Sequence, residues 1–419
     1  MIAEILATGD ELRTGTLVDS NSARIAEALI QNGVDVRRHA TVGDDMDQLV
    51  AVLREIADRA DVAVVTGGLG PTHDDLTAEA LSRAAGIPLV EDARALSDIE
   101  AFFTRRNRTM SPSNRKQALL PQGAVALYNP VGTAPGFRLR LNRCTFFCLP
   151  GVPHEMSTML FKHVIPRVRE LQGAAHYCLI RTLACFGLPE SVAGDRMNGF
   201  RVRFPQVKLG LRAKFPEIQI KLYLDCDDRR QGDALLESAV RWVAAQLGPH
   251  LFSMQDESMS AAVGRMLKAA GATLALAESC TGGLLANWLT DTPGSSEYFI
   301  LSAVSYADSA KQSVLGVAKE TLVQYGAVHE KTAEAMAQGV LHVSGATYGL
   351  ATTGIAGPGG GSAQKPVGTV CIALAGPEAF LYSRRLQFTY GSRLMNKQIF
   401  AMSALDMLRR KLCGILQGG

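Results

Sequence analysis

The sequence has little of what marks membrane proteins and nucleic-acid-binding proteins. Aromatic residues make up only 6% of the 419 residues, and just two of them are tryptophans. No apolar run reaches the roughly 20 residues that cross a bilayer. The formal net charge of +3 is too small to attract nucleic acid by bulk electrostatics, and no stretch interleaves basic and aromatic residues. We therefore expect no membrane partner and no nucleic-acid partner.

Paired cysteine motifs are also missing. The eight cysteines are scattered along the chain, which is typical of reduced thiols in a cytoplasm. Cys144 and Cys148 form the closest pair, but no second pair follows, so a buried strand is a better interpretation than a metal site. The N-terminus reaches the polar run 8–11 after only a few apolar residues, which predicts no signal peptide and a cytoplasmic protein.

Residues 2–170 alternate predicted strands with predicted helices. Buried strands are predicted over 2–7 and 61–66, and amphipathic helices over 21–31 and 46–59. This alternation is typical of an α/β domain with a parallel sheet, which binds ligands beyond the carboxyl ends of its strands. We therefore predict such a domain over residues 1–170.

Three acidic or glycine-rich loops, at 9–11, 67–75 and 150–155, are expected at that edge of the sheet. Because carboxylates alone would repel a phosphate, their presence at a phosphate-binding edge implies a divalent metal. The candidate metal ligands are Asp10, Asp74 and Asp75. The alternative is that Asp74 and Asp75 only cap the helix that follows them.

The rest of the chain divides into a middle segment and a last domain. Strand signals at 177–186 and 218–224, followed by a helix signal at 231–247, predict a small α+β spacer domain over 171–252. The last domain, over 253–419, is predicted to be α/β, with Ser258 as the N-cap of its first helix.

The last domain contains a turn around which the chemistry is arranged. An apolar, strand-like run at 272–277 leads to Ser279, and a helix-like run at 284–289 follows. A strand that ends in a Ser/Thr/Gly turn opening a helix presents hydroxyls and free backbone N–H groups at one point. A second glycine-rich loop, at 352–361, also follows an apolar run. Either loop alone is typical of ordinary turns, but the pair favours a site for a phosphorylated small molecule, with Ser279 placed to react.

The catalytic base of such a site is not expected to be a histidine. His329 and His342 are the only histidines of the last domain, and both lie in or beside a predicted helix away from the glycine loops, which disfavours a Ser-His-Asp triad. Lys311 is the candidate base and Tyr306 the residue that would orient it. A lysine acts as a base only when burial or a neighbouring cation lowers its pKa from about 10.4. The alternatives are a surface lysine beside a core tyrosine, and Cys280 as the nucleophile, although the sequence supplies Cys280 with no histidine partner.

Taken together, these motifs resemble the CinA family across nearly the whole chain. The N-terminal motifs at 8–11, 66–77 and 150–155 are similar to those of a MoaB/MogA-like (molybdopterin-binding type) domain. That resemblance implies a three-layer domain around a parallel sheet, with the metal-dependent ADP-ribose pyrophosphatase activity associated with CinA proteins.

The C-terminal motifs resemble those of nicotinamide-mononucleotide (NMN) deamidases. They comprise residues 277–283, Tyr306 with Lys311, and the segments 353–360 and 365–370. The resemblance implies a CinA-type α/β amidase domain in which Ser279, Tyr306 and Lys311 form the catalytic group. The residues expected to bind the substrate are Thr281, Gly282, Gly283, Thr353, Gly354, Gly357, Gly360 and Arg393.

Two positions depart from the family pattern. The usual Gly-Asp-Arg turn before the last helix reads Gly391-Ser392-Arg393, and the arginine expected four residues later is Lys397. Because arginine binds phosphate through two parallel hydrogen bonds and lysine does not, Arg393 is the candidate phosphate ligand.

The expected function is therefore hydrolysis of NMN to nicotinate mononucleotide and ammonia in nucleotide salvage, without a cofactor. One alternative is ADP-ribose pyrophosphatase activity in the N-terminal domain, with a divalent metal. Another is a non-catalytic protein associated with competence and DNA uptake. The expected partners are small nucleotides, NMN and ADP-ribose, together with a second copy of the chain in a homodimer.

Overall fold

The computed structural model describes residues 1–173 and 177–416. The chain forms two compact units, one made of residues 1–179 and 224–234, the other of residues 180–223 and the chain from 235 onwards. Within the described ranges, none of the helices combines the length and the apolarity that a bilayer crossing requires.

The first unit is built on a six-stranded sheet with the order β2-β1-β3-β8-β7-β6. Its elements are β1 (Ile2–Thr8), α1 (Asp10–Arg13), α2 (Ser20–Gln31), β2 (Asp35–Val42), α3 (Met46–Arg59), β3 (Val62–Thr66), α4 (Thr77–Ala85), β4 (Leu89–Glu91), α5 (Ala93–Arg105), a 3-10 helix (Pro112–Ala118), β5 (Leu119–Pro121), β6 (Val125–Leu127), β7 (Gly136–Leu141), β8 (Cys144–Leu149), α6 (Pro153–Met159), a π-helical turn (Leu160–Val164) and α7 (Ile165–Gln172).

The strands of this sheet carry apolar side chains on both faces, so helices pack on each side and the unit has three layers. In β1, Leu6 packs into a core shared with α3, α4 and α5, whereas Ala3 and Ile5 pack into a core shared with α2, α6 and α7. Successive side chains of a strand point to opposite faces, so a continuous apolar strand is buried on both. The predicted three-layer α/β fold is confirmed.

The sheet is parallel only in its four strands β2, β1, β3 and β8. β7 runs antiparallel to β8, and β6 antiparallel to β7. Two residues, Asn142 and Arg143, join β7 to β8, and Asn142 has a φ of +52°. A connection this short permits only an antiparallel hairpin, which explains the departure from an all-parallel sheet.

The chain continues through a four-stranded sheet with the order β10-β11-β9-β12, in which β10 runs antiparallel to β11 and β12 antiparallel to β9. The elements of this segment are β9 (Tyr177–Cys185), α8 (Glu190–Arg196), α9 (Phe200–Arg203), β10 (Lys208–Lys214), β11 (Glu217–Cys226), α10 (Arg229–Leu247), a 3-10 helix (Gly248–His250) and β12 (Leu251–Ser253).

The last part of the second unit holds a five-stranded sheet with the order β14-β13-β15-β16-β17. Its elements are α11 (Met259–Ala269), β13 (Leu274–Glu278), α12 (Leu284–Thr290), a 3-10 helix (Ser295–Glu297), β14 (Phe299–Val304), α13 (Asp308–Leu315), α14 (Lys319–Tyr325), α15 (Glu330–Ser344), β15 (Tyr348–Gly354), β16 (Thr369–Ala375), β17 (Leu381–Gln387) and α16 (Arg393–Leu412).

Helices cover both faces of this sheet. Leu274 and Leu276 of β13 pack with α11, α12 and α16, and Ala275 and Ala277 pack with α13 and α15. Ser258 caps α11 as predicted, because its hydroxyl accepts a hydrogen bond from the Ala261 N–H. β14, β13 and β15 are parallel, so their carboxyl ends meet at one edge of the sheet.

Candidate active site

Ser279 lies at the edge where those three parallel strands end. Glu278, the last residue of β13, is paired with Val304 of β14 and Thr352 of β15. The Ser279 N–H donates to the Thr352 carbonyl at 2.9 Å, and the Ser305 N–H donates to the Glu278 carbonyl at 2.9 Å. The structure therefore brings the Ser279 turn, the loop after β14 and the second glycine-rich loop to the same edge, as the sequence predicts.

The turn after Ser279 is held by a carboxylate that the sequence reasoning missed. Glu278 is fully buried, and its oxygens accept hydrogen bonds from the N–H groups of Gly283 (2.9 Å), Leu285 (3.2 Å) and Ala286 (3.0 Å). They also accept from the Ser302 hydroxyl at 3.3 Å. A carboxylate at a helix N-terminus satisfies donors that have no partner in the helix. The one available signal was an acidic residue ending an otherwise apolar strand.

This carboxylate changes which donors can stabilise an oxyanion. Gly283 was expected to bind the substrate, but its N–H already donates to Glu278. Within the part of the chain that the structure describes, the N–H groups of Thr281 and Gly282 donate to no protein acceptor. These two groups, rather than Gly283, are the donors beside Ser279.

Lys311 is a buried residue, with 1% of its surface exposed. Its Nζ donates to the carbonyl oxygens of Ser305 and Tyr306, both at 3.1 Å, and lies 3.5 Å from a carboxylate oxygen of Asp308. The alternative of a surface lysine is therefore wrong. Among the described residues, no hydrogen bond joins the Ser279 hydroxyl to the Lys311 amine.

The Tyr306 side chain does not hold Lys311, contrary to our expectation. Its hydroxyl instead accepts a hydrogen bond of 3.0 Å from Arg393, and its ring is 61% exposed, so it is not a core tyrosine either. The reason is local: Tyr306 lies two residues after the end of β14, and its backbone carbonyl accepts a hydrogen bond from Lys311 in the first turn of α13. Lys311 is thus oriented by the backbone of Tyr306.

Two cations from α16 complete the edge. Arg393 donates to the Gly357 carbonyl at 2.5 Å as well as to Tyr306. Lys397 lies one helical turn further on, on the same face. A Cβ built on Gly282 would lie 3.6 Å from the Lys397 Nζ, so the ammonium group lies directly over the Ser279 turn. Sequence reasoning favoured Arg393 alone, but the structure brings both cations to the site.

The predicted substrate-binding threonines use their hydroxyls inside the protein. The hydroxyls of Thr281 and Thr352 lie 2.8 Å apart and are fully buried, and the Thr353 hydroxyl donates to the Ala327 carbonyl at 2.7 Å. These side chains fix the loops and leave backbone groups for a ligand.

The glycines of the second loop allow close packing. A Cβ on Gly354 would lie 2.5 Å from the Thr369 carbonyl and 3.2 Å from the Cys280 sulfur. Gly357 and Gly360 both have positive φ, +87° and +83°. The loop therefore needs glycine to fold against β16 and the Ser279 turn.

Cys280 is unsuited to act as the nucleophile. Its side chain is 5% exposed, and burial raises the pKa of its thiol to about 12. A thiol reacts as its thiolate, so Cys280 stays protonated at neutral pH, and its side chain packs behind the turn.

A second candidate site is a cavity of about 560 Å³ at the corresponding edge of the first unit. Gly67 and Gly68 line it with positive φ, +106° and +64°, and a Cβ on Gly67 would lie 2.5 Å from the Thr8 carbonyl. The N-terminal residues of α2, Ser20 and Asn21, also line the cavity. Exposed backbone and a helix N-terminus are features that favour a phosphate group.

Of the three predicted metal ligands, Asp74 and Asp75 line this cavity and Asp10 does not. Asp10 begins the short helix α1, which turns its carboxylate to Arg13 at 3.0 Å, and it does not line the cavity. Asp75 accepts hydrogen bonds from the Thr72 N–H and hydroxyl at 2.8 and 2.6 Å. Across residues 1–173 and 177–416, no group of three His, Cys, Asp or Glu side chains could hold a metal ion. The predicted ligand set therefore does not fit a metal in this arrangement.

The alternative interpretation of Asp74 and Asp75 as helix caps is also wrong. The N-cap of α4 is Leu76, and no side chain caps this helix.

Asp74 lines the cavity, as does Asp44, which the sequence reasoning missed. Burial raises the pKa of Asp44, and the negative charges of Asp10, Glu11 and Asp74 raise it further.

The folds and the two edges define a multi-module α/β protein with separate candidate sites on two sheets. Residues 4–170 match the family described as "Probable molybdopterin binding domain", and residues 256–412 match the "CinA C-terminal domain". A "CinA-like protein" of Desulfosudis oleivorans is 52% identical over 98% of this chain and 100% of that protein. One of Desulforapulum autotrophicum is 46% identical over the full length of both. The chain belongs to the CinA family, which confirms the resemblance.

A solved structure is also similar in part. The competence/damage inducible protein CihA from Agrobacterium tumefaciens is 39% identical, covering 37% of this chain and 93% of that one, with a TM-score of 0.36.

Proposed function

We propose that the C-terminal domain is an amidohydrolase that converts NMN to nicotinate mononucleotide and ammonia. The observation that carries this proposal is the meeting of three kinds of group at one sheet edge. They are the Ser279 hydroxyl with the unpaired N–H groups beside it, the buried amine of Lys311, and the cations Arg393 and Lys397. A nucleophile, a base and a phosphate-binding pair are what hydrolysis of a phosphorylated amide requires.

In the proposed reaction, neutral Lys311 takes the proton of Ser279 as Oγ attacks the carboxamide carbon. The amine is held by the carbonyls of Ser305 and Tyr306 and lies 3.5 Å from the Asp308 carboxylate. In this reaction the lone pair of the deprotonated amine accepts the serine proton. The N–H groups of Thr281 and Gly282 would stabilise the oxyanion, at about 3 kcal/mol for each donor.

The intermediate then collapses by breaking the carbon–nitrogen bond. Lys311 returns its proton to the departing nitrogen, so ammonia leaves as a neutral molecule. Water then adds to the resulting ester while Lys311 accepts one of its protons. Lys311 passes that proton to the departing Ser279 oxygen, and the carboxylic acid is released. A variant of the mechanism, in which Ser279 only positions the attacking water, gives the same products.

Arg393 and Lys397 explain why a mononucleotide is the proposed substrate. Each retains donors that no described residue occupies, and both lie at the N-terminal end of α16. A guanidinium binds phosphate by two parallel bonds, and an ammonium group adds a point charge. Removing the phosphate from the substrate should therefore raise KM.

The test is an ammonia-release assay on NMN, with nicotinamide riboside as the substrate that lacks the phosphate. Ser279→Ala should lower kcat by several orders of magnitude while NMN still binds, and Cys280→Ser, the matched change one residue away, should be tolerated. An active Ser279→Ala protein beside an inactive Cys280→Ser protein would move the nucleophile to Cys280 and overturn the mechanism.

A second candidate function is cleavage of ADP-ribose by the first unit. The glycine backbone and α2 N-terminus of the 560 Å³ cavity support it, since both favour phosphate. We test it by incubating the protein with ADP-ribose, with and without Mg²⁺, and measuring release of AMP.

Two further parts of the proposal concern the cell and the assembly. We propose that the protein acts in the cytoplasm as a homodimer, and sedimentation of the full chain measures the second point. The name of the Agrobacterium relative supports the alternative of a competence-associated role. DNA binding with a steep salt dependence would favour that alternative.

A further inference from the structure

A cavity of about 380 Å³ lies in the second unit, away from the Ser279 edge. One wall is the even-numbered face of β17, with Tyr382, Arg384 and Leu386 at alternate positions. The facing wall is the C-terminal half of α16, where Met407 and Arg410 lie one turn apart. Volumes of this size are typical of small-molecule sites.

Much of the lining is apolar and able to contact a planar ring. Phe186 and Met407 are buried, and Leu386 and Phe388 are half-buried. Aromatic rings and a methionine thioether make favourable contacts with another aromatic ring. This part of the cavity therefore suits the ring of a ligand rather than a bare ion.

The charged groups of the lining have a positive excess. The Asp406 carboxylate is already engaged by Arg409, at 2.6 Å, and by the Arg410 Nε, at 2.7 Å. Arg409 is 2% exposed and does not line the cavity, which leaves Arg410 with its terminal nitrogens unbonded to described residues. Arg384 is exposed and makes no hydrogen bond or ion pair with any residue that the structure describes. Two guanidinium groups beside a neutralised carboxylate favour an anion.

We propose that this cavity binds a small aromatic phosphate, with its ring against Leu386, Phe388 and Met407 and its phosphate on Arg384 and Arg410. Two guanidinium groups match a dianionic phosphate better than a single carboxylate. The site is separate from the amidase edge: Arg393 and Ser403 are ten positions apart on α16, about 15 Å along the helix.

The test is isothermal titration calorimetry of the full chain with 1-naphthyl phosphate. Arg384→Gln should weaken binding about tenfold or more, because it removes a charge-assisted hydrogen bond. Arg385→Gln is the matched control, since Arg385 points to the opposite face of β17 and donates to the Gln364 carbonyl, and it should bind like the unaltered protein. Ser403→Phe places a large side chain in the cavity from the α16 wall and should abolish binding.

Further measurements distinguish binding in this cavity from binding at the Ser279 edge. Binding should persist in the double variant Arg393→Gln/Lys397→Gln, and both 1-naphthol and inorganic phosphate should bind more weakly than the probe. The proposal is overturned if Arg384→Gln binds as tightly as the unaltered protein, if the double variant abolishes binding, or if inorganic phosphate binds equally well. Absence of saturable binding at millimolar probe would overturn it too.

Discussion

Arg393 donates a hydrogen bond of 3.0 Å to the hydroxyl of Tyr306, a residue 87 positions away in the chain. The same guanidinium donates to the Gly357 carbonyl at 2.5 Å. One side chain at the start of α16 thus joins the loop after β14 to the second glycine-rich loop. The Ser279 turn is next to both, so Arg393 sets the outline of the proposed substrate site as well as carrying charge.

This link leads to a prediction for Tyr306→Phe. The change removes only the hydroxyl that Arg393 binds, whereas Lys311 is held by the Tyr306 backbone carbonyl and keeps its position. Losing one hydrogen bond of about 1 kcal/mol should raise KM for NMN roughly fivefold and leave kcat nearly unchanged. Steady-state ammonia release measures both constants. A loss of kcat by two orders of magnitude would instead make Tyr306 part of the proton transfer.

Lys311→Arg should be far more damaging. Arginine keeps the positive charge but does not deprotonate near neutral pH, so it cannot accept the serine proton. Loss of a general base costs about 100-fold or more in kcat. Lys319→Arg, the same change at an exposed position of α14, is the control and should leave the rate unchanged. Equal rates in the two variants would remove Lys311 from the mechanism.

Glu278 offers a test of how the turn is built. Glu278→Gln replaces one carboxylate oxygen with an amide nitrogen. That nitrogen cannot accept the hydrogen bonds that the N–H groups of the turn donate to the carboxylate. A buried donor left without an acceptor costs about 1–3 kcal/mol, so the free energy of unfolding in urea should fall by that amount. Glu297→Gln is the control, because it breaks only an exposed ion pair with Lys268, and such pairs contribute about 0–1 kcal/mol. A Glu278→Gln protein as stable as the control would show that these contacts contribute little.

Cys280 provides a prediction for pH. A pKa raised to about 12 means that the protonated thiol dominates at every pH below that value. Iodoacetamide at pH 8 should therefore leave Cys280 unmodified and label the exposed Cys413. Peptide mass mapping measures the labelling, and unfolding in urea should make both react. Rapid labelling of Cys280 in the folded protein would contradict its burial.

Sequence patterns predicted the strand, turn and helix around Ser279 but not the hydrogen bonds between the side chains of the candidate site. The apolar runs on either side of Ser279 give the strand, turn and helix directly, since each is set by local periodicity. The donor to the Tyr306 hydroxyl and the acceptors of the Lys311 amine depend on where chain segments meet, and the periodicity of a sequence does not show that.

The same limit explains the errors in the N-terminal site. Residues 9–11 read as a loop, whereas Asp10 begins a short helix that pairs it with Arg13. Asp75 reads as a helix cap but holds the turn at Thr72. The aspartate side chain is short, so its direction depends on the position of the residue within a helix or turn. A shift of one residue changes that direction, and adjacent aspartates are therefore easily assigned the wrong role.

The three aspartates predicted as metal ligands should consequently behave differently when each is changed to asparagine. Asp74 lines the cavity and makes no hydrogen bond to a described residue, so Asp74→Asn should reduce ADP-ribose cleavage without lowering the thermal midpoint. Asp75→Asn should lower the midpoint, because it weakens two hydrogen bonds to Thr72 of about 1 kcal/mol each. Asp10→Asn, which affects an exposed pair outside the cavity, is the control and should change neither. Measurement of AMP release and thermal unfolding on all three proteins separates the roles, and equal loss of cleavage in all three would restore the shared metal site that the sequence predicts.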